Sequence, residues 1–341
     1  MPIPAIQLYR PFSVAGALAA VLLTAFGRAP AQTQADPLER TVVVSVVNEN
    51  GMNLRGLESN HFRGEFRRKP VDILSAEESP PHRVLLLYDI SGSMTADRPV
   101  PRLTAERFLA RMPPQVPMAF LSFASKVHDQ IAFQTDRTEM LSRLRNLDSI
   151  DWDRVRPKGV GKTALFDSLS AAIQMFGNPQ PGDAVVIISD GGENASHMTG
   201  GKIQAMAKAS GIRVFSLVGT SPLVLSSRSP VETAGPTLLD EIGRATGGDI
   251  WFFDEDELHR FEAPPLHEAL LQKHMAAVFA TVETLVREMN GFYVLKILLP
   301  GPVEKPHGWK LEVVDPQTGR PDHHLILHYP SQLMPRPEKV P

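Results

Sequence analysis

The chain has 341 residues, 43% hydrophobic and 21% charged, with 35 Lys and Arg against 38 Asp and Glu, a formal net charge of -3. At roughly 150 residues per domain this is one to three domains, and without a basic surplus nothing favours a nucleic-acid backbone or an anionic membrane as partner. The absence of cysteine excludes disulfide frameworks, zinc ribbons, iron–sulfur clusters, thiol nucleophiles and acylated lipoprotein anchors.

Residues 1–31 have the form of a secretory signal peptide. Arg10 gives a positive flank, Ser13 to Phe26 is an uncharged apolar-to-small run, and Ala29-Pro30-Ala31 has the small-x-small pattern of a cleavage site. The run is shorter than the roughly 20 residues needed to span a bilayer, so the expectation is an exported protein, periplasmic or secreted, of bacterial type; a membrane association follows only if the segment stays uncleaved.

Arg40 to Val47 (RTVVVSVV) is β-branched and ends at Asn48-Glu49-Asn50-Gly51, which predicts a strand entering a hairpin-like turn. Weaker strands are predicted at Phe62 to Phe66 and Pro70 to Leu74. From Val84 the pattern becomes βαβ. Strands are expected at Val84 to Asp89, Met118 to Phe123, Gln130 to Phe133, Ala184 to Ser189, Ile212 to Val218 and Asp249 to Phe253. Helices are expected at Thr104 to Arg111, Glu139 to Leu147, Ala164 to Phe176, Ile203 to Ala209 and Leu238 to Thr246. Strands apolar throughout, such as VVII at 185–188, suit a mostly parallel sheet with helices on both faces.

A long helix is predicted from Leu266 to Met289, with Leu271, Met275, Val278, Val282, Leu285 and Met289 on one seam and Asn290-Gly291 as the stop. The seam fits packing on its own domain or a coiled-coil-like contact with a partner. Strands follow at Phe292 to Leu299, Trp309 to Val314 and His324 to His328, the last two joined by the turn Asp315 to Gly319. The expected organisation is a signal over 1–31, a β module begun over 38–80 and completed over 291–330, an α/β domain over 82–260 inserted into it, the helix over 265–290, and a Pro-rich tail over 331–341.

Three loops carry the chemistry. The strand ending at Asp89 runs into Asp89-Ile90-Ser91-Gly92-Ser93. Thr163 closes the loop Gly159-Val160-Gly161-Lys162 before a helix, and Asp190 follows the strand Val185 to Ser189 and precedes Gly191-Gly192. All three leave the same end of a parallel sheet, where open α/β folds bind ligands. Each also has a plain structural alternative: a capped turn for Asp89 with its serines, an N-cap for Thr163, and an Asp-Gly turn for Asp190.

Together these residues resemble the metal-ion-dependent adhesion site of a von Willebrand factor A domain, in which D-x-S-x-S combines with a threonine and an aspartate on two later loops. The resemblance covers roughly residues 82–260 and implies a doubly wound, Rossmann-like α/β fold. It further implies that the hydroxyls of Ser91, Ser93 and Thr163 meet the ion directly, and that Asp89 and Asp190 hold coordinated waters or ligate it themselves. Five oxygen donors suit a hard cation, and a compact site suits Mg2+, with Mn2+ and Ca2+ as alternatives. Neutral hydroxyls leave the ion's charge under-compensated, so an Asp or Glu carboxylate from a protein partner can complete the shell.

The flanks carry a second resemblance. Val42 to Leu57 (VVVSVVNENGMNLRGL), His61-Phe62 and Arg68 to Leu74 are similar to the leader of a bacterial family of exported von Willebrand factor A-related proteins. Asn60-His61-Phe62 departs from that family's acidic residue before the phenylalanine, and His324 to Pro330 matches its closing strand only loosely.

Other motifs fall short. Gly161-Lys162-Thr163 ends like a phosphate-binding loop, but position 156 is Arg156 where the first glycine belongs, so no nucleotide is expected. His267-Glu268 starts a zinc-protease pattern that Leu271 breaks. No G-x-S-x-G elbow is present. Asp254 to Glu257 fits helix-start capping better than a calcium site, and His323-His324 fits strand surface with adventitious metal binding as the alternative. The expected function is therefore non-enzymatic: metal-dependent protein binding, with a structural scaffold subunit of an envelope or secretion assembly as the alternative and metal-assisted hydrolysis as a third reading that lacks a placed general base.

Overall fold

The computed structural model describes residues 38–95, 99–148, 162–220, 230–254 and 264–336. The segment read as a signal peptide, the glycines of the loop before Lys162, most of the acidic cluster after Asp254 and the last residues of the tail lie outside them. Among the described residues no helix is long and apolar enough to cross a membrane.

A six-stranded sheet forms the middle of the chain. Its strands are β4 (Val84–Asp89), β5 (Met118–Phe123), β6 (Val127–Gln134), β7 (Ala184–Ser189), β8 (Arg213–Thr220) and β9 (Ile250–Asp254), in the order β6-β5-β4-β7-β8-β9. All neighbours are parallel except β6, an antiparallel edge strand. The alternation of side chains divides each buried strand between two cores. Val84, Leu86 and Tyr88 of β4 point to one face and pack with Phe108, Leu109 and Phe120, while Leu85 and Leu87 point to the other with Leu165, Leu169 and Ile203. Burial on both faces is why these strands read as unbroken apolar runs.

The helices are α1 (Pro99–Arg111), α2 (Thr138–Asp148), α3 (Leu165–Met175), α4 (Gly200–Ser210), α5 (Pro230–Thr246) and α6 (Pro264–Asn290). Two start five or more residues before the sequence pattern predicts. Helix α1 begins at Pro99 because proline is tolerated in a first turn, where no intrahelical N–H bond is lost, and α5 runs through the internal Pro236. The seam of α6 resolves in favour of its own domain: Met275, Val278, Val282, Leu285 and Met289 are buried in the core that also holds Leu86 and Phe120.

Strands from both sides of this α/β block meet in a second, seven-stranded sheet. Its members are β1 (Glu39–Asn48), β2 (Phe62–Phe66), β3 (Lys69–Ser79), β10 (Phe292–Leu298), β11 (His307–Val313), β12 (Leu325–His328) and β13 (Gln332–Leu333), in the order β12-β1-β10-β3-β2-β11-β13. Strand β10 lies between β1 and β3, antiparallel to both. Val44, Phe66, Leu295, Trp309 and Leu311 share its core. Three details differ from the sequence reading. The turn after Asn48 returns only to the isolated bridge Val47–Asn53. Strands β11 and β12 are consecutive but unpaired, because β11 joins β2 and β13 while β12 joins β1. The Pro-rich tail contributes β13, paired with His307 and Gly308.

Candidate metal site

Strand order puts a crevice between β4 and β7. The chain builds outward from β4 through β5 to β6 on one side, then restarts at β7 on the other, and this reversal is where α/β sheets open a ligand site beyond their carboxyl ends. Tyr88 pairs with Ile188, so the next residues, Asp89 and Ser189, leave the sheet side by side. Their side chains meet there: the Ser189 hydroxyl donates to Asp89 Oδ2 at 2.6 Å, and the Ser91 backbone N–H donates to Asp89 Oδ1 at 2.7 Å. Ser189 Oγ in turn accepts from the Gly191 N–H at 3.0 Å.

Asp190 accepts the Gly192 N–H on Oδ1 at 2.9 Å, as an Asp-Gly turn requires. Gly192 lies beside both Asp190 and Thr163, since a Cβ built on that glycine would lie 3.2 Å from Asp190 Oδ1 and 3.7 Å from Thr163 Oγ1. Helix α5 closes over the same turn: a Cβ on Gly235 would lie 1.9 Å from the Gly191 carbonyl oxygen, so only glycine fits there. Asp89, Ser91, Thr163 and Asp190 are all buried. The structure thus brings Asp89, Ser91, Thr163 and Asp190 to one crevice. The backbone of Ser93 lies in the 3-10 turn Gly92–Thr95 beside them, and its side chain lies outside what is described.

The alternative role for Thr163 fails on geometry. Helix α3 starts at Leu165 with Ala164 as its N-cap residue and no side-chain cap from it. Instead the helix start is satisfied from the β7–α4 loop, where Glu193 Oε2 accepts the Phe166 N–H at 3.0 Å and Ser196 Oγ accepts the Asp167 N–H at 3.1 Å. Thr163 is held through its backbone: its N–H donates to Asn194 Oδ1 at 2.8 Å, and its carbonyl accepts the N–H groups of Asn194 and Ala195. The loop carrying Asp190 therefore positions the loop carrying Thr163. Buried Glu193 is the tie, accepting also from the Ser196 hydroxyl at 2.7 Å.

Electrostatically the crevice is acidic. Burial, and then the neighbouring Asp190 carboxylate, push the Asp89 carboxyl above the usual carboxylate range, while hydrogen bonds from Ser189 and Ser91 pull the other way. Two carboxylates among hydroxyls, with no nitrogen or sulfur donor, fit a hard divalent cation, which would offset the repulsion between them.

No protein-family model and no curated protein matches the chain. Solved structures do. BatB from Bacteroides thetaiotaomicron is 19% identical over 59% of this chain and 99% of its own length, at a TM-score of 0.38. The VWA domain of SpRpn10 is 10% identical over 57% of this chain and 95% of its own, at 0.38. Proximal thread matrix protein 1 of the mussel byssus, in a form with a zinc occupied MIDAS motif, is 15% identical over 60% of this chain and 48% of its own, at 0.39. The central sheet, five parallel strands with one antiparallel edge strand and a core on each face, makes a doubly wound α/β domain.

Sequence reasoning missed the supports of that domain's crevice: Ser189, Glu193, Asn194 and the Gly235-Pro236 contact on Gly191. Ser189 was legible in principle, because a strand-end hydroxyl beside a buried aspartate follows once β4 and β7 are paired. Glu193 and Asn194 act across loops and leave no local signature.

Proposed function

We propose that this chain is an exported, non-enzymatic binding protein whose central domain captures a partner's Asp or Glu side chain through a divalent cation. Ser91, Ser93 and Thr163 would offer hydroxyl oxygens to the ion, with Asp89 and Asp190 ligating it or holding its waters, and Mg2+ is the ion that a compact all-oxygen set favours. The bound cation would supply a positive charge that the partner's carboxylate completes; the chain's own residues hold and orient it. The observation that carries this reading is the convergence of two buried carboxylates with the Thr163 hydroxyl, which caps no helix, at the β4/β7 crevice. In the same proposal the two flanks, 38–80 and 291–330, fold as one module into which 82–260 is inserted, and residues 1–31 direct export.

The test is retention of partner proteins from an envelope extract by the wild type in Mg2+, by the wild type in excess chelator, and by Asp190→Ala in Mg2+. Retention only in the first condition supports metal-bridged capture. Equal retention in all three assigns the domain to a scaffold whose contacts need no ion.

A further inference from the structure

At the β9 edge of the central sheet, three side chains from distant parts of the chain converge. Asp249 lies in the loop before β9, Glu288 in the last turn of α6 and His328 at the end of β12. His328 Nδ1 is 3.4 Å from Glu288 Oε1 and 3.7 Å from Asp249 Oδ2, and one ligand atom from each of the three lies within 4.8 Å of the others. Neither separation is a hydrogen bond. Glu288 Oε1 is buried with no hydrogen-bond partner among the described residues, on a side chain only 6% exposed. A buried carboxylate oxygen left without a donor is costly, and this one is aimed at the imidazole nitrogen and the second carboxylate.

The spacings match a coordination shell. Ligand atoms at about 2.0 to 2.1 Å from a tetrahedral ion stand about 3.3 Å apart, close to the two distances from His328. Asp249 is preset for the role: its Oδ1 accepts the Ile250 N–H at 2.8 Å, which leaves Oδ2 directed at His328. Its loop is clamped, because a Cβ on Gly248 would lie 2.0 Å from the Val214 carbonyl oxygen. The buried Arg213 interacts electrostatically with Glu288, and its guanidinium is fixed elsewhere: it stacks 4.2 Å over Phe292 and donates to the Met289 carbonyl at 3.3 Å. Access exists, since the side chains of His328 and Asp249 are 17% and 29% exposed.

We propose that Asp249, Glu288 and His328 form a second cation site, of the class that takes Zn2+ or a similar divalent transition metal, pinning α6 and the flanking sheet to the edge of the central sheet. One imidazole with two carboxylates suits such an ion better than Mg2+, which takes oxygen ligands and retains its waters. The site is separate from the β4/β7 crevice and stands whether or not that crevice binds metal.

The experiment is a calorimetric Zn2+ titration of full-length Asp190→Ala, which disables the first crevice, followed by the same titration with Asp249→Asn, Glu288→Gln or His328→Ala added. One Zn2+ bound per chain with a rise in melting temperature, weakened roughly tenfold or more by each added change, is the expected result. The additional pair His323→Ala and His324→Ala removes the adjacent exposed histidines nearest in sequence to His328 and should leave binding intact. Asp249→Asn is nearly isosteric, so the proposal remains testable if His328→Ala folds poorly. Zn2+ uptake that is absent in Asp190→Ala, unaffected by Asp249→Asn and Glu288→Gln, or lost with His323 and His324 overturns the second site.

Discussion

The two sheets bury their strands by different means. In the central sheet β4, β5 and β7 are buried at every position, with helices on both faces. In the flanking sheet β2 and β11 alternate, Phe62, Gly64 and Phe66 turned inward with Arg63 and Glu65 turned out. The first kind of strand keeps its hydrophobic identity whatever lies beside it in sequence. The second depends on partners far along the chain, for β1 and β3 are joined only through β10, which arrives more than two hundred residues later.

That difference is broken most severely by ending the chain at Gly291. Removing β10 to β13 strips β1 and β3 of the strand between them, so residues 38–80 should become protease-sensitive while 82–290 resists. Limited proteolysis with mass mapping checks this, and continued protection of 38–80 would show that β1 to β3 hold together alone. A milder comparison uses point changes. Leu86→Ala, fully buried between two layers, should cost about 2–5 kcal/mol, whereas Leu325→Ala on the half-buried edge strand β12 should cost about 1 kcal/mol. Urea denaturation of both variants measures the gap.

The same contrast sets what was legible from the sequence. Strands β4, β5 and β7 match their predicted bounds because continuous apolar runs between turn signals have few other uses. The strand order within the flanks was not readable: the turn Asp315 to Gly319 looks like a hairpin connection, yet β11 and β12 sit on opposite sides of β10 in the sheet. At the β4/β7 crevice Asp89, Ser91, Thr163 and Asp190 stood out because D-x-S-x-S, a threonine and an aspartate fall on three loops that leave the same end of the sheet. Arg213, Glu288 and His328 did not, since a buried cation over Phe292 and a carboxylate near an imidazole exist only after the two sheets meet.

Glu288 provides the next test of that junction. Burial, opposed by His328 from β12 and Arg213 from β8 and assisted by Asp249 before β9, raises its carboxyl from the usual 4.5 up to about 6. A carboxyl whose pKa is higher folded than unfolded favours the fold when protonated, so its contribution falls as pH rises from 4.5 through 6. The full penalty above that range is about 2 kcal/mol. In chelator, Glu288→Gln should therefore stabilise the protein by about that amount at pH 7.5 and by nearly nothing at pH 4.5. Thermal denaturation at the two values reads it, and an equal effect at both would mean that the ionised carboxylate is not penalised by the junction.

The smallest effect on stability and a large one on binding should come from the same change, Thr163→Ala. The start of α3 draws its caps from Glu193 and Ser196, and Thr163 is anchored by its N–H to Asn194. None of these bonds uses the Thr163 hydroxyl. Truncation thus removes a buried hydroxyl and one methyl without freeing a helix N–H, and the loss should stay below the roughly 1 kcal/mol typical of a deleted cap. If the hydroxyl ligates the cation, Mg2+ affinity should nonetheless drop, and Thr163→Ser, which keeps the oxygen, should restore it. Calorimetric Mg2+ titration beside thermal denaturation of the two variants separates the roles. A stability loss of a full cap with unchanged Mg2+ affinity would return Thr163 to the helix and leave Asp89 and Asp190 to hold the ion without it.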